Sequence, residues 1–460
     1  MLKKNQIQKI LNQSLTSGAD FGELFFEKTI DSSISVMNGE VTNISVVETA
    51  GVGVRLLEGS NEVYGYTNVI TEESIIALLE QLKASFNSEP NEVLPLGEPK
   101  EFENNIKIPF DQVETSQKNE KLLQINKIIK DESSLIVQAI TRLLETKQEV
   151  LIANTEGIYQ NDERIYSRVV LGAVAKEGDK MEQGFEGPGR FMGFEIFDEI
   201  DFESLAKEVA ESAVKQLNAK DVKAGVMPVV LHNGFGGVIF HEACGHPLEA
   251  SAIAKGLSPF VGKIGEKVAS DVVSAYDDGN IENAWGRLNF DDEGHPTQNN
   301  LLIENGILKS YLVDKRNGRT MDTKSTGSSR RQSYKYAPTS RMNSTFIANG
   351  TEDYMDIIRD TKQGLFAKKL GGGTVNPTTG EFNFAVQEGY MIEDGKLTHA
   401  VKGAMLIGNG KDILFEIDRV ANNLELGQGM CGAASGSIPV DVGQPTIRVK
   451  SITVGGLGGE

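Results

Sequence analysis

Residues 226–254 read VMPVVLHNGFGGVIFHEACGHPLEASAIA, and this stretch separates two parts of the chain with different character. It opens with the apolar run 227–231, passes through glycine-rich turns, and continues into one strong helix candidate at about 235–254. Before it, amphipathic helices mix with strand-like runs, whereas β-forming residues dominate after it. We therefore expect two domains, at residues 1–222 and 223–460.

The first part predicts a mixed α/β domain with an antiparallel sheet. Short runs rich in β-branched residues, separated by turn pairs such as Asn-Gly, predict a meander. These strands are expected at 25–29, 33–37, 41–47, 51–57 and 63–67. Helices are expected at 4–16, 71–86, 114–146 with a break near 131–134, and 201–218, and a hairpin at 148–175.

The second part predicts a β-rich domain, barrel-like or sandwich-like, that carries the helix at 235–254. Strands are expected at 300–313, 344–348, 382–393, 397–408 and 445–454. Together the two parts define an α+β fold.

Composition excludes several classes of function. A net charge of -19 repels phosphate backbones and anionic lipid, so we expect no direct nucleic-acid binding. No run of about 18 apolar residues is present, so we expect a soluble, cytoplasmic protein without membrane contact. Cys244 and Cys431 are too few for a disulfide framework and would be free thiols in a reducing compartment; one structural bridge is the alternative.

The segment 241–246 places two histidines around a glutamate, which indicates a metal site. In the familiar zinc-peptidase helix the histidines are four residues apart, whereas His241 and His246 are five apart. Five helical steps turn the second side chain by about 140°. Gly245 and Pro247 would permit a widened turn or a helix end at 245–247, with Pro247 pushing His246 out of the α region. An incidental pair of histidines is the alternative.

A catalytic zinc ion needs a third protein ligand and an open position for water. Cys431 is favoured because it lies between glycines and a zinc-bound thiol ionises readily. Glu249 and Cys244 are local competitors, although Cys244 would crowd Glu242 and is more typical of a small buried residue.

Such a site can hydrolyse peptides. Zinc lowers the pKa of bound water and polarises a carbonyl, while Glu242 accepts the proton and passes it to the leaving amine. Donors for the developing oxyanion, or contacts for the substrate, are expected among Arg330, Arg331, Tyr334 and Arg341. A solvated basic surface loop is the alternative for these side chains.

Several further motifs accompany this segment over nearly the whole chain. They are Leu248-Glu249-Ala250, 288–294 with Pro296-Thr297, 330–334 with Pro338 and Arg341-Met342, Gly371-Gly372-Gly373 with 382–384, 401–404, 407–410, and 429–432. With these motifs the chain resembles the TldD/PmbA family, also called modulators of DNA gyrase.

The resemblance implies an N-terminal α/β domain, a C-terminal β-rich domain, and one zinc ion per protomer held by His241, His246 and Cys431, with Glu242 catalytic. Because the motif is retained, the chain resembles the active TldD subunit rather than its PmbA (TldE) companion. The family implies hydrolysis of unfolded or extended peptides bound as an added strand, within a closed two-subunit chamber. We therefore expect a homodimer or a heterodimer with a PmbA/TldE-like subunit. Tyr336 stands where many members have histidine, so no proton-donor role is assigned there.

Two other classes of function remain open. One is a non-catalytic peptide-binding or regulatory subunit with a structural metal site, which would have a closed set of four ligands. The other is a thiol sensor in which Cys244 and Cys431 form a reversible disulfide.

Overall fold

One antiparallel sheet occupies the first 190 residues in the computed structural model, which describes residues 2–376 and 379–456. Its seven strands are β1 (Phe21–Met37), β2 (Glu40–Glu58), β3 (Asn61–Thr67), β4 (Ile136–Asn154), β5 (Tyr159–Glu177), β6 (Lys180–Glu186) and β7 (Gly189–Arg190). Their order is β3-β2-β1-β4-β5-β6, and β7 also pairs with β5. The expected antiparallel sheet is confirmed.

Helices cover this sheet and bury its apolar side chains in two cores. They are α1 (Lys4–Ser14), α2 (Glu72–Lys83), α3 (Thr115–Asp131), α4 (Ile196–Glu199) and α5 (Phe202–Leu217), with a 3-10 turn at Phe110–Gln112. Thr71 caps α2 by accepting from the Ser74 amide, and Asp201 caps α5 by accepting from the Ser204 amide. The helices predicted at 4–16, 71–86 and 201–218 are confirmed to within a few residues.

Two details of the predicted sheet are wrong. The runs expected at 25–29 and 33–37 are one continuous strand, and so are those at 41–47 and 51–57, because β1 and β2 pair along their whole length. The helix expected to restart after residue 134 is instead β4. This strand lies between β1 and β5 and bonds to both, and its buried positions alternate from Ala139 to Glu145. Pairing on both edges outweighs the local helical pattern.

The rest of the chain is rich in strands, as predicted. They are β8 (Lys220–Asp221), β9 (Gly225–Leu231), β10 (Ala275–Asp278), β11 (Asn299–Glu304), β12 (Ile307–Leu308), β13 (Ser329–Arg330), β14 (Thr339–Ser340), β15 (Ser344–Ile347), β16 (Gln363–Val375), β17 (Glu381–Glu393), β18 (Lys396–Lys402), β19 (Met405–Asn409), β20 (Ile417–Val420), β21 (Glu425–Ala433), β22 (Gly436–Gln444) and β23 (Ile447–Gly455).

These strands form a small barrel and a second sheet. The order β16-β9-β23-β19-β17 closes on itself because β17 also pairs with β16, which gives a ring of five strands. The second sheet has the order β12-β11-β10-β15-β22-β21, so β21 is one of its edges. The remaining short strands attach to the barrel as β18-β8 and β20, or pair with each other as β13-β14.

A broken helical segment lies in the core shared by the barrel and the second sheet. It consists of a 3-10 turn at Gly234–Gly237, α6 (Val238–Phe240), a π turn at His241–Gly245, a 3-10 turn at His246–Leu248 and α7 (Ala250–Ile253). The helix predicted at 235–254 is therefore confirmed in position but not in regularity. Three further helices are α8 (Lys315–Met321), α9 (Tyr354–Arg359) and α10 (Gly410–Glu416).

Buried ion pairs join the first sheet to loops of the second half. Arg55 contacts Glu293, and Arg331 donates to Glu23 at 2.5 Å. Arg164 donates to Asp292 at 2.8 Å. Both halves therefore contribute to one polar interior, and the domain division at residue 222 stays a prediction. Within residues 2–376 and 379–456, none of the helices combines the length and the apolar character needed to cross a bilayer.

Candidate metal centre

A single π turn brings the two histidines of the motif together. The His246 amide bonds to the His241 carbonyl oxygen, which is five residues earlier rather than four. Residues five apart in such a turn lie on the same side, as residues four apart do in an α-helix. The two imidazole rings are 5.0 Å apart between centroids and nearly perpendicular, at 81°. The widened turn that the spacing required is therefore present.

The position of this turn differs from the prediction. It spans 241–245, and His246 keeps helical angles of φ -57° and ψ -43°, so the expectation that Pro247 would push His246 out of the α region is wrong. Pro247 lies in the first turn of the following 3-10 segment, where no amide donor is needed. The backbone leaves the helical region only at Glu249, with ψ 134°.

Gly245 is required by close packing rather than by an unusual backbone conformation. Its angles are helical, with φ -60° and ψ -55°. A Cβ atom at this position would overlap the sulfur of the fully buried Met342. The absence of a side chain therefore lets the π turn approach the segment that follows Arg341.

Cys431 reaches the histidines from the edge strand β21. This strand pairs with β22 in register with Cys431 opposite Ile438. Arg341, which is fully buried, donates to the Cys431 carbonyl oxygen at 2.5 Å and to Ser435 Oγ at 2.9 Å. One guanidinium thus links the strand that carries the thiol to the turn that follows it.

Three donor atoms converge at the site. Cys431 Sγ lies 3.4 Å from His241 Nε2 and 3.2 Å from His246 Nε2, and all three atoms lie within 4.8 Å of one another. Tetrahedral zinc, with bonds of about 2.0 Å to nitrogen and 2.3 Å to sulfur, places such atoms about 3.5 Å apart. Burial by itself raises the pKa of the Cys431 thiol, but the charges and hydrogen bonds of His241 and His246 lower it to about 3. The donor set therefore fits a zinc ion.

The other ring nitrogens differ in their surroundings. His246 Nδ1 lies 3.0 Å from Glu249 Oε1, and this contact directs Nε2 toward Cys431. His241 Nδ1 is buried without a hydrogen-bond partner among the described residues. Glu249, considered above as a ligand, thus lies behind His246. Cys244, the other competitor, is fully buried with Sγ 3.6 Å from the Gly410 carbonyl oxygen, and its burial raises its pKa.

Glu242 lies beside the donor atoms and is partly open to solvent. Its Oε2 is 3.8 Å from His246 Nε2, and 30% of its side chain is exposed. A carboxylate in this position can reach a water molecule that approaches the three donor atoms from the solvent side.

The predicted oxyanion and substrate residues occupy different environments, all of them buried, so they do not form a solvated loop. Arg330 lines a cavity of about 380 Å³ together with Tyr336, and donates to the Met342 carbonyl oxygen at 2.8 Å. Arg331 bonds to Glu23 and to the Asp292 carbonyl oxygen. Tyr334 packs in an apolar cluster against the first sheet. Arg341 supports Cys431, as described above.

Two side chains that the sequence did not single out touch β21 beside the site. Trp285 Nε1 donates to the Gly429 carbonyl oxygen at 3.0 Å, and Arg168 Nη2 lies 3.4 Å from the Gln428 carbonyl oxygen. Trp285 is the only tryptophan of the chain, which is a weak signal of its importance. Nothing in the sequence pattern marks Arg168, because it comes from β5, far from β21 along the chain.

Known proteins resemble the chain over its whole length. Models of the three PmbA/TldA metallopeptidase domains match it: domain 1 at residues 22–85, the central domain at 108–217 and the C-terminal domain at 224–456. A metalloprotease TldD homolog from Haemophilus influenzae is 37% identical, covering 95% of this chain and 93% of that protein. One from Buchnera aphidicola subsp. Schizaphis graminum is 34% identical, covering 99% of this chain and 98% of that protein.

Solved structures share the same fold. A modulator of DNA gyrase from Thermotoga maritima superposes with a TM-score of 0.82 at 19% identity, covering 98% of this chain and 100% of that one. TldE from Thermococcus kodakarensis superposes with a TM-score of 0.78 at 21% identity, covering 98% of this chain and 99% of that one.

Proposed function

The chain belongs to the PmbA/TldD metallopeptidase family and is a peptidase, and we propose that it is a TldD-type zinc enzyme that hydrolyses unfolded or extended peptides. One observation carries the proposal: His241, His246 and Cys431 converge while Glu242 lies on their open side. Three protein ligands with a solvent-accessible carboxylate are typical of catalytic rather than structural zinc.

In this proposal His241, His246 and Cys431 hold one zinc ion per protomer. Bound zinc supplies a Lewis acid for the peptide carbonyl and increases the acidity of water. Glu249 keeps His246 oriented through the 3.0 Å contact with its Nδ1. Thiolate and imidazole ligands also suit neighbouring transition metals, but zinc is the usual partner of this donor set in hydrolases.

Glu242 is the general base. It accepts a proton from the attacking water and then passes that proton to the leaving amine. Its partial exposure keeps it in reach of both the water and an incoming substrate. Arg330 and Arg331 both line the cavity that reaches Met430, but Arg331 is ion-paired with Glu23, so Arg330 is the better candidate to meet substrate.

The free edge of β21 supports an extended substrate. The Asp441 amide on β22 donates to the Asn343 carbonyl oxygen, away from β21, so Asp441 and Gln428 form a non-hydrogen-bonded pair. Because the two kinds of pair alternate along the strands, Met430 and Pro439 also form a non-hydrogen-bonded pair, and Pro439 has no amide hydrogen to donate. The backbone groups of Met430 therefore face outward beside Cys431. A peptide that pairs with them as an added strand would be bound largely through its main chain.

The first sheet supports assembly with a second protomer, either another copy or a PmbA/TldE-like chain. Strand β3 pairs with β2 only from Val52 onward, so residues 40–51 of β2 have a free edge on that side. That stretch exposes Ile44, Val46 and Val47, at 51%, 67% and 54%. A long apolar edge is prone to pair with another chain, and a partner would cover it. Mass measurement of the purified protein, alone and with a PmbA/TldE-like chain, distinguishes the two assemblies.

A cytoplasmic location also belongs to this proposal. Cys244 and Cys431 are both free thiols in the structure. A reducing compartment keeps Cys431 available as a metal ligand.

Hydrolysis of an unstructured peptide by the zinc-loaded protein tests the proposal. Glu242→Gln should lower kcat by about 10²- to 10⁴-fold while leaving zinc content and the unfolding temperature unchanged. Glu266→Gln, at an exposed carboxylate paired with Lys263, is the matched control and should retain full activity. Unchanged turnover by Glu242→Gln would refute the role of Glu242. A wild-type protein that binds zinc and peptide without cleaving would instead be a regulatory subunit.

A further inference from the structure

A cleft of about 1160 Å³ runs along β21 and reaches Met430, the residue before the proposed metal ligand Cys431. One wall comes from β21 itself, and the facing wall includes Arg168 on β5 and Arg190 on β7. These two strands are neighbours, because Ser167 pairs with Arg190 and Arg168 with Gly189. Two guanidinium groups from the first sheet therefore face a strand of the second.

Neither guanidinium has a carboxylate partner in the described part of the chain, where no acidic oxygen lies within 4.0 Å of either. Arg168 donates to the Gly187 carbonyl oxygen at 2.9 Å, and Arg190 to the Gly189 carbonyl oxygen at 2.8 Å. Burial lowers the pKa of Arg168, and it also lowers that of Arg190 although Asp441 opposes the shift. Partly buried cations that have no carboxylate within ion-pair distance favour a bound anion.

The Arg168 guanidinium has close neighbours on two sides, the Trp285 ring and Gly187. It lies 5.7 Å above the Trp285 ring. A Cβ atom at Gly187 would come within 3.1 Å of Arg168 Nη2, so the glycine leaves room for the guanidinium. Packing and hydrogen bonds thus hold this cation in place before any ligand arrives.

Arg168 also marks the end of the free edge of β21. Its Nη2 lies 3.4 Å from the Gln428 carbonyl oxygen, which faces away from β22 because Gln428 and Asp441 form a non-hydrogen-bonded pair. An added strand can therefore pair with Met430 but meets Arg168 at Gln428. Gln428 lies three positions before Cys431, which corresponds to about 10 Å along a strand.

Among the other charged residues that line the cleft, Glu208 on α5 has no ion-pair partner in the described part of the chain, and the rest are paired or lie elsewhere along the cleft. Lys368 pairs with Glu388, and Lys369 pairs with Glu186. Glu425 lies at the opposite end of β21 from Cys431, three residues beyond Gln428. The positive charge that remains free on the cleft wall is that of Arg168 and Arg190, in a chain whose net charge is -19.

We propose that Arg168 and Arg190 form a carboxylate-binding subsite that selects peptides with a carboxylate about three residues from the cleaved bond. Either the α-carboxylate of the peptide or an Asp or Glu side chain can supply this group. The proposal rests on the function proposed above, since it places the substrate along β21. It makes the enzyme selective for substrate charge at one position, although main-chain pairing is indifferent to most side chains.

The test uses the zinc-loaded protein and two series of unstructured peptides. In the first series, one Asp is moved along an otherwise neutral, end-blocked peptide, with Asn at the same position as its reference. In the second series, peptides of increasing length end in a free carboxylate or in an amide. We expect kcat/KM to be about tenfold higher, equivalent to about 1.4 kcal/mol, when either carboxylate lies at one fixed distance from the cleaved bond. The two series distinguish a side-chain carboxylate from a terminal one.

Arg190→Gln should remove this preference and leave the turnover of neutral peptides within about twofold, because Arg190 donates its hydrogen bond to the Gly189 carbonyl oxygen and not to β21. Arg168→Gln should also remove the preference, but it should lower the turnover of neutral peptides as well, because Arg168 contacts the Gln428 carbonyl oxygen of β21. Arg168→Lys should restore part of the preference. Arg359→Gln, at an exposed guanidinium outside the cleft, is the control for the charge change. A preference that survives in both Gln variants, or that never appears with the wild-type protein, overturns the subsite while leaving peptidase function intact.

Binding measurements separate the two proposals. Fluorescence anisotropy with the Glu242→Gln protein reports the affinity for acidic and neutral peptides without cleavage. A preference for the acidic peptide that is lost in Arg190→Gln supports the subsite even if the wild-type protein cleaves neither peptide, in which case only the proposed catalytic function fails. Equal affinity for both peptides overturns the subsite.

Discussion

Arg341 donates to the backbone carbonyl oxygen of Cys431 at 2.5 Å, so a fully buried cation holds the strand that carries the proposed thiol ligand. The same guanidinium also bonds to Ser435 Oγ and to the Gly436 carbonyl oxygen. Three contacts on one short hairpin thus fix where Cys431 meets the histidines. Arg341 therefore positions the strand that carries Cys431 and does not place its charge at the reacting atoms.

Arg341→Met should weaken zinc binding by at least about tenfold and lower the free energy of unfolding by about 2 to 4 kcal/mol, because buried carbonyl groups lose their donors. Competition with a chromophoric chelator measures the first effect, and denaturant unfolding of the zinc-free protein measures the second. Arg359→Met, at an exposed site on α9, should change neither. Normal zinc affinity in the Arg341 variant would show that the hairpin keeps its position without this residue.

Gly245→Ala should displace the π turn, because the new methyl group would overlap the Met342 sulfur. We expect a loss of about 1 to 3 kcal/mol in unfolding free energy, together with weaker zinc binding. Gly432→Ala is the matched control: Gly432 follows Cys431, yet a Cβ atom there meets nothing within 4 Å. Thermal unfolding and zinc titration of both variants measure the difference. Equal behaviour would mean that the turn has room to shift.

Glu249→Ala should weaken zinc binding by about 10- to 100-fold, because His246 would lose the contact that directs its ring. Glu249→Gln keeps a hydrogen-bonding oxygen and should lose less. The zinc dissociation constant is the measurement. X-ray absorption spectroscopy at the zinc edge should still show two nitrogen ligands and one sulfur ligand from the protein. A change in the number of protein ligands would instead make Glu249 a ligand itself.

His232 predicts a pH-dependent stability. Burial, aided by the positive charge of Lys368 and opposed by Glu388, lowers its pKa to about 4, while Nδ1 contacts Thr446 Oγ1 at 2.9 Å. The unfolded chain therefore binds a proton below about pH 6.5 that the folded chain does not bind until about pH 4. This contribution to stability is complete above pH 6.5 and is lost as the pH falls toward 4.

Urea unfolding at pH 7 and pH 5 measures this effect. The loss of unfolding free energy between the two pH values should be smaller in His232→Asn than in the wild-type protein, by about 1 to 2 kcal/mol. An equal loss in both proteins would assign the pH dependence to other groups.

The sequence alone determined the family and the fold class, and it named the three residues whose donor atoms the structure brings together. His241, His246 and Cys431 stand in motifs that can be read directly, and Glu242 is adjacent to the first histidine. The five-residue spacing even required a widened turn, since a regular helix would separate the two rings. These properties follow from residue identity and local periodicity, which a single sequence contains.

Only the tertiary structure decided where the backbone widens, which residues support the ligands and what faces the cleft. The π turn at His241–Gly245 packs closely against Met342, and Arg341 donates to the Cys431 carbonyl oxygen. The stretch 136–146 is a strand because β1 and β5 both pair with it. Arg168 meets β21 from another sheet. Each of these outcomes depends on contacts between residues distant in the chain, whose energies local sequence patterns do not encode.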